Sequence, residues 1–410
     1  MTDTVFGAVS DGHARRARMM LVRAFFSSNT AMGCAFGGFG VAVLSLQERF
    51  GASRAMASMG LALTVLTLSL SSPLVATMII RLGLRKTMIS GMLLSASGYI
   101  ALAFAPSMLI ALTSCALLIG PGTAMFGTFP SSILAGGWSP QARGRAVGMA
   151  NIPLLLILIP ILGVTIIQRF GLPAFFLTLA GLHLLLLPLM LGIADPPLAN
   201  QIAHSGGSEI KIDRHPNRAL LFRPLFWAMV IGDGIFNAVS VAGLSHIVPV
   251  AVESGIPVQG SGLLLSLMGF GSIPGSILSG YLCDRFGPTR ALTVAGLGFA
   301  VSWSLIGTGW LPGMTAATLL MGMCGSSILP PVNVLATRAF GVVALPRALS
   351  LIAVFALPFT FIMPPAAGLM RDLFGDYDFV IIFLIVAALI GATTFFLIER
   401  TLQSSPKVPA

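Results

Sequence analysis

Twelve long apolar stretches leave this chain very few ways to fold. They run over residues 22–46, 56–80, 87–105, 107–135, 146–168, 172–194, 225–250, 261–283, 291–310, 313–337, 348–369 and 378–398. A helix needs about 20 mainly apolar residues to cross the hydrocarbon of a bilayer, and each stretch is close to or above that length. The only other spanning solution is a closed barrel, because lipid offers no partner to an unpaired backbone group. The ten-residue alternating segments of a barrel are absent. Only 9% of the residues are charged and 56% are hydrophobic, against roughly 25% charged in soluble domains. The sequence predicts an all-α polytopic membrane protein with twelve transmembrane helices and the lipid bilayer as its main partner.

A net charge of +10 would suggest a nucleic-acid partner in a soluble chain. Its distribution argues otherwise. With both termini placed in the cytoplasm, 19 of the 23 Lys and Arg residues fall on the cytoplasmic side, and only Arg49, Arg54, Arg169 and Arg371 fall outside. That asymmetry is the positive-inside signature of membrane topology, so no nucleic-acid partner is expected. The four cysteines are scattered without a C-x-x-C pair, which indicates neither a disulfide framework nor a zinc site. A Gly-rich nucleotide loop is also missing. No cofactor, metal or enzyme activity is expected.

Landmarks repeat along the chain. The charged turn Gly280-Tyr281-Leu282-Cys283-Asp284-Arg285-Phe286-Gly287-Pro288-Thr289-Arg290 has a degenerate copy at Ile80-Arg81-Leu82-Gly83-Leu84-Arg85-Lys86, with Asp284 against Ile80 at an offset of 204 residues. Gly51 matches Gly255 and Phe170-Gly171 matches Phe374-Gly375 at the same offset, while Arg145 and Arg347 differ by 202. The chain reads as a tandem duplication: an N-terminal six-helix bundle (1–194), a cytoplasmic linker (195–222) and a C-terminal six-helix bundle (223–410). Parallel repeats of this kind occur in secondary transporters.

Ionisable groups inside lipid cost at least about 2.5–3.5 kcal/mol at mid-helix, so each one needs a reason. Asp233 is the only acidic residue well inside a stretch, with Asn237 and Ser240 at i+4 and i+7 on the same helical face. This stripe is the leading candidate for binding substrate or a coupling proton. Arg23, Ser27 and Thr30 form a second polar stripe at the start of the first stretch. His246, at the far end of the stretch that carries Asp233, is a candidate for gating or proton relay. Pro330-Pro331 and Pro364-Pro365 are expected to break backbone hydrogen bonds inside spans, which is tolerated where protein or a cavity supplies partners.

The two charged turns resemble the G-x-x-x-D-R-x-G-x-[KR]-[KR] signature of the major facilitator superfamily, between helices 2 and 3 and again between helices 8 and 9. Three further stretches resemble its bacterial monocarboxylate-transporter-like branch. They are the Gly-rich Gly38–Leu44 run leading into Glu48-Arg49-Phe50-Gly51-Ala52-Ser53-Arg54, the loop from Trp138 to Gly148, and His246-Ile247-Val248-Pro249. The resemblance implies a monomeric secondary transporter of the bacterial inner membrane with a central site. It would move a small organic acid by alternating access with a proton as coupling ion. In the family the signature Asp caps the facing helix 11 and stabilises the outward-open state. That assigns gating to Asp284 and Arg285, and to Arg81, Arg85 and Lys86 in the first copy, where Ile80 stands in place of the Asp. The family pattern S-I-x-G-R reads here Ser272-Ile273-Pro274-Gly275-Ser276, so Ser276 occupies the place of the substrate-binding Arg. A carrier of a neutral or cationic apolar compound is therefore the alternative substrate reading. A membrane enzyme and a channel are the rival classes.

Overall fold

A computed structural model describes residues 3–139, 143–195 and 220–404; among these the chain is helical with short turns and has no strand. Among the described residues, ten helices are long and apolar enough to span a membrane. One of them, Ala146–Leu191, breaks at Gly171 (φ 84°) and contains two of the stretches expected from sequence. Leu84–Ala103 accounts for the remaining one. The helices, consistent with the twelve expected spans, are α1 (Ala14–Phe50), α2 (Arg54–Leu82), α3 (Leu84–Ala103), α4 (Met108–Trp138), α5 (146–170) and α6 (172–191), then α7 (Pro224–Glu253), α8 (Val258–Phe286), α9 (Pro288–Ile306), α10 (Leu311–Gly341), α11 (Ala348–Phe374) and α12 (Asp378–Arg400). Most of the linker expected at 195–222, together with residues 140–142 of the Trp138–Gly148 loop, lies outside the described residues.

The duplication is visible in the backbone. Gly83 joins α2 to α3 with φ 84°, and Gly287, 204 residues on, joins α8 to α9 with φ 89°. Gly51 and Gly255, and Gly171 and Gly375, likewise recur with positive φ. A side chain disfavours this region of backbone space, so glycine marks each turn. The acids that close these turns also recur. Asp195 Oδ1 accepts the Leu84 N–H at 2.7 Å, at the start of α3. Its counterpart Glu399 accepts the Thr289 hydroxyl at the start of α9 and pairs with Arg290 Nε at 3.3 Å. A carboxylate at a helix N-terminus takes an orphan donor and meets the positive end of the helix dipole. Asp195→Ala is expected to cost about 1 kcal/mol, read as a lowered thermal unfolding midpoint of the purified protein; an unchanged midpoint would show that water replaces the cap without loss.

The chain forms two compact units: one of Met1–Gly38, Thr67–Leu156 and Ile166–Glu209, the other of Phe39–Leu66, Ile157–Thr165 and Ile210–Ala410. The first has its core around Met20, Met88, Met92, Phe126 and Leu134. In the second, α8 and α10 meet backbone to backbone. A Cβ at Gly271 would lie 2.1 Å from the Leu319 carbonyl oxygen, and one at Gly322 would lie 1.8 Å from that of Met268. Serine hydroxyls lock the seam: Ser327 donates to Gly275 O at 3.0 Å and Ser279 to Ser327 O at 3.1 Å. With no hydrophobic drive between helices in lipid, close small-residue packing and such bonds hold a pair together.

Candidate functional site

The polar stripe of α7 ends at Ser240, which lies next to Gly325 just before a break in α10. Asp233, Asn237 and Ser240 are each half-buried along one side of the helix. The glycines flanking Asp233 face neighbouring helices, Gly232 against Phe395 of α12 and Gly234 against Phe359 of α11. Asn237 Nδ2 donates to the Asp233 backbone carbonyl at 2.9 Å, which ties the two residues together along the helix. Ser240 Oγ lies where a Cβ on Gly325 of α10 would come within 2.9 Å. Just beyond Gly325 the helical run Leu311–Ser326 stops at Ser327 and resumes at Leu329 with proline in its first turn. Half-buried Ser326, Ser327 and Asn333 lie around that break. A polar helix face whose Ser240 end meets an interrupted helix, with an ionisable carboxyl two turns along it, is an arrangement that suits solute and ion binding in transporters.

At the far end of α7 lies a second, tighter cluster, all within the second unit. His246 is fully buried, with Nε2 2.9 Å from Pro364 O and Nδ1 3.0 Å from the Tyr377 hydroxyl. The carbonyl can only accept, so Nε2 carries the hydrogen, and a neutral ring then accepts the Tyr377 O–H at Nδ1. Burial holds the Tyr377 hydroxyl above its usual range, which keeps it protonated. Above the pair, Glu253 Oε1 receives Arg54 Nη2 at 3.0 Å and Arg371 Nη2 at 2.9 Å. The Arg54 guanidinium lies over the Tyr377 ring at 6.0 Å. Asp372 caps the start of α2 with both oxygens, accepting the N–H of Arg54 at 3.2 Å and of Ala55 at 3.0 Å. Ser58 Oγ donates to Pro364 O at 3.1 Å, and Gly368 lets the α11 backbone lie directly on Arg54 and Ala55. The first turn of α2 is thus clamped to the ends of α7 and α11. Closure has a cost built in, because Arg54 Nε and Nη1 are buried without a partner among the described residues.

The clamp can be tested by exposure of Ser58, which it covers completely. In a background with the native cysteines replaced, Ser58→Cys is expected to resist maleimide. Adding Asp372→Ala removes a cap worth about 1–2 kcal/mol and should raise labelling roughly five- to thirtyfold. Equal labelling rates would show that the cap does not hold this end shut.

The other residues singled out from sequence are spread through the structure. Arg23 donates through Nε to Leu189 O at 3.0 Å and through Nη1 to Gly192 O, so it caps the C-terminal end of α6. Ser27 donates to Phe126 O at 2.6 Å, and Thr30 to Phe26 O in its own helix; both side chains are buried. Ser276 is exposed and donates to Ser272 O at 2.9 Å. Asp284 is exposed at the end of α8. The α11 side chains that it would meet as a latch, 342–347, lie outside the described residues. Arg285 sits against Tyr281 and over Phe286, while Arg81, Arg85 and Lys86 are exposed. Asp233, Asn237 and Ser240 come together; the Arg23 stripe is engaged with backbone.

Sequence reasoning passed over a polar knot in the first unit. Helix α5 breaks at Asn151–Pro153, and α1 and α4 close the break. Ser28 donates to Asn151 Oδ1 at 2.6 Å, Asn29 Nδ2 to Ile152 O at 2.9 Å, and Asn29 Oδ1 accepts the Leu155 N–H at 2.9 Å. Asn151 Nδ2 reaches Ser132 Oγ at 3.1 Å. The signal for it was present: four consecutive polar residues, Ser27 to Thr30, interrupt an apolar span, and an Asn precedes Pro153 by two.

The profile described as Major Facilitator Superfamily matches residues 25–257 and 234–409. The chain belongs to the major facilitator superfamily. It is a multi-pass membrane transporter with a small-molecule substrate, and its monocarboxylate-like features have counterparts among known proteins. Monocarboxylate transporter 11 of Mus musculus is 26% identical over 359 residues, 83% of this chain and 78% of that protein. Monocarboxylate transporter 11 of Homo sapiens is 27% identical over 361 residues, 82% of this chain and 74% of that one. Among solved structures, the nucleoside transporter NupG superposes with a TM-score of 0.76 at 10% identity, covering 93% of this chain and 99% of that one. The xylose transporter XylE from E. coli, in an inward-open conformation, does so with 0.70 at 14%, covering 96% of each chain. At such identities the structural likeness speaks for the major facilitator fold alone.

Proposed function

We propose that this member of the superfamily is a secondary carrier that moves a small organic acid together with a proton by alternating access. It would act as a monomer of two six-span halves (1–194 and 223–410) joined by a cytoplasmic linker. The observation that carries this reading is the half-buried Asp233–Asn237–Ser240 face of α7, whose Ser240 end meets α10 next to its break. An ionised Asp233 repels a carboxylate and a protonated one does not, so binding an acid there draws in a proton. The names of the mammalian relatives support an acid as substrate. The uneven distribution of Lys and Arg supports an orientation with both termini in the cytoplasm, in a bacterial inner membrane. In that orientation the Arg54–Glu253–Asp372 clamp is the outer gate, with His246 beneath it, and Asp284 belongs to the inner one.

One observation favours a second reading, a neutral or cationic apolar compound. Ser276 offers no fixed cation, and its hydroxyl is turned onto its own helix. An anion therefore lacks the bidentate partner that an arginine would give it. Proteoliposome counterflow separates the two readings. Saturable exchange of lactate or pyruvate, together with net uptake driven by an alkaline interior, is the expected result. Exchange of amines or neutral compounds with no response to acids would establish the second reading, and absence of any saturable exchange would remove both.

A further inference from the structure

At the cytoplasmic end of the first unit, a cavity of about 500 Å³ opens among Arg15, Arg16, Met19, Arg23, Trp138 and Ala194. We infer that it is a binding site for a phosphate-bearing ligand, filled by the headgroup of an anionic glycerophospholipid.

The site follows from one face of α1. Arg15, Met19 and Arg23 stand at i, i+4 and i+8, and Arg16 and Met20 stand beside them, so three guanidinium groups converge where the helix meets α4 and the end of α6. Arg23 is already fixed by the carbonyls of Leu189 and Gly192, so its charge cannot swing away. Arg15 and Arg16 are exposed and have no bonded partner among the described residues. Asp195, next to Ala194 of the cavity wall, is turned aside onto the Leu84 N–H at 2.7 Å. Trp138 forms a wall and is held in place by its indole N–H on Ala194 O at 2.9 Å. Fixed and mobile arginines together match a phosphate, which accepts several charge-assisted hydrogen bonds at once.

The apolar surface beside the cavity points to a lipid over a free phosphate. Below Arg15 on the same helical face, Met19, Val22 and Phe26 follow at i+4, i+7 and i+11, and are 43%, 46% and 37% exposed. A charged head over an apolar strip that descends into the membrane has the shape of a phospholipid: phosphate at the arginines, acyl chain along the strip. Basic pockets between spans on the cytoplasmic side suit anionic headgroups, and the negative lipids of that leaflet raise their local concentration. Only the choice of leaflet rests on the orientation proposed above.

The test uses the full-length protein in detergent micelles, titrated with dioleoylphosphatidylglycerol, dioleoylphosphatidylcholine or inorganic phosphate while the thermal midpoint is followed. The midpoint is expected to rise with phosphatidylglycerol and to stay put with phosphatidylcholine. Arg15→Gln combined with Arg16→Gln should weaken the apparent affinity for phosphatidylglycerol by about thirtyfold and leave the lipid-free midpoint unchanged. An equal response in both proteins, or an equal response to phosphatidylcholine, would overturn the site. Inorganic phosphate matching phosphatidylglycerol in the unaltered protein would overturn the lipid as its occupant and leave a soluble phosphate in its place. None of these outcomes depends on transport, so failure here leaves the carrier reading standing.

Discussion

Asp233→Asn is expected to bring proton-driven accumulation of substrate down to background while leaving exchange and folding intact. Among the described residues, Asp233 is the one acidic residue that lies well inside a span. Asparagine keeps its shape and can still hydrogen-bond, but it cannot take up a proton. Asn237 bonds to the Asp233 backbone carbonyl, so that contact survives the substitution, and the glycines packed against Phe395 and Phe359 are untouched. Little stability should be lost. A cycle that needs no net proton movement, such as counterflow, should continue, whereas uptake against a gradient should not. The measurement is paired uptake and counterflow in proteoliposomes with an imposed pH difference. Uptake that still follows the pH difference would rule out Asp233 as the proton carrier, and loss of both activities would assign it to substrate binding.

Gly322→Leu should be the most damaging single change to the fold of the second unit. A Cβ at this position meets the Met268 carbonyl oxygen at 1.8 Å, far closer than non-bonded heavy atoms can approach. The obstacle is backbone, so no side chain can swing aside, and α8 must move away from α10. That movement also stretches the Ser327–Gly275 and Ser279–Ser327 bonds. Overpacking of this kind costs about 3 kcal/mol or more, enough to remove most of the stability of an ordinary domain when a bond network fails with it. Size-exclusion profiles and thermal midpoints are the readout. Gly280→Ala, on the same α8 but with no atom within 4 Å of its Cβ position, is the control and should be close to neutral. A Gly322→Leu protein that elutes and melts like the parent would mean that the seam is looser than its backbone contacts imply.

The spans themselves were plain in the sequence, because length and apolarity alone decide whether a segment crosses a bilayer. The duplication was equally plain, and the backbone repeats it at Gly83 and Gly287. Side-chain partners separated by many residues were not legible. Arg23 reads from sequence as the head of a polar stripe with Ser27 and Thr30, yet its partners are carbonyls 166 and 169 positions away. Asp195 looks like the first residue of a linker, although it closes the turn into α3. Its relation to Glu399 lies at the same 204-residue offset but is hidden by the change of acid. Arg54, Glu253 and Asp372 each look like ordinary loop charges, and only the fold shows that they meet. Helical periodicity places a residue on a face of its own helix, which was enough for Asp233, Asn237 and Ser240. It says nothing about what stands opposite.

The second compact unit takes Phe39–Leu66 and Ile157–Thr165 from the early part of the chain. A gene cut in the linker would separate these pieces from the residues they complete. The later fragment would keep Asp372 with no helix start to cap, and Leu244 and Leu265 with no Gly40 against them. The earlier one would carry a buried arginine, Arg54, with neither of its acids. Coexpressed fragments should therefore recover as a complementing pair, and neither should serve as a self-sufficient module for grafting onto another transporter.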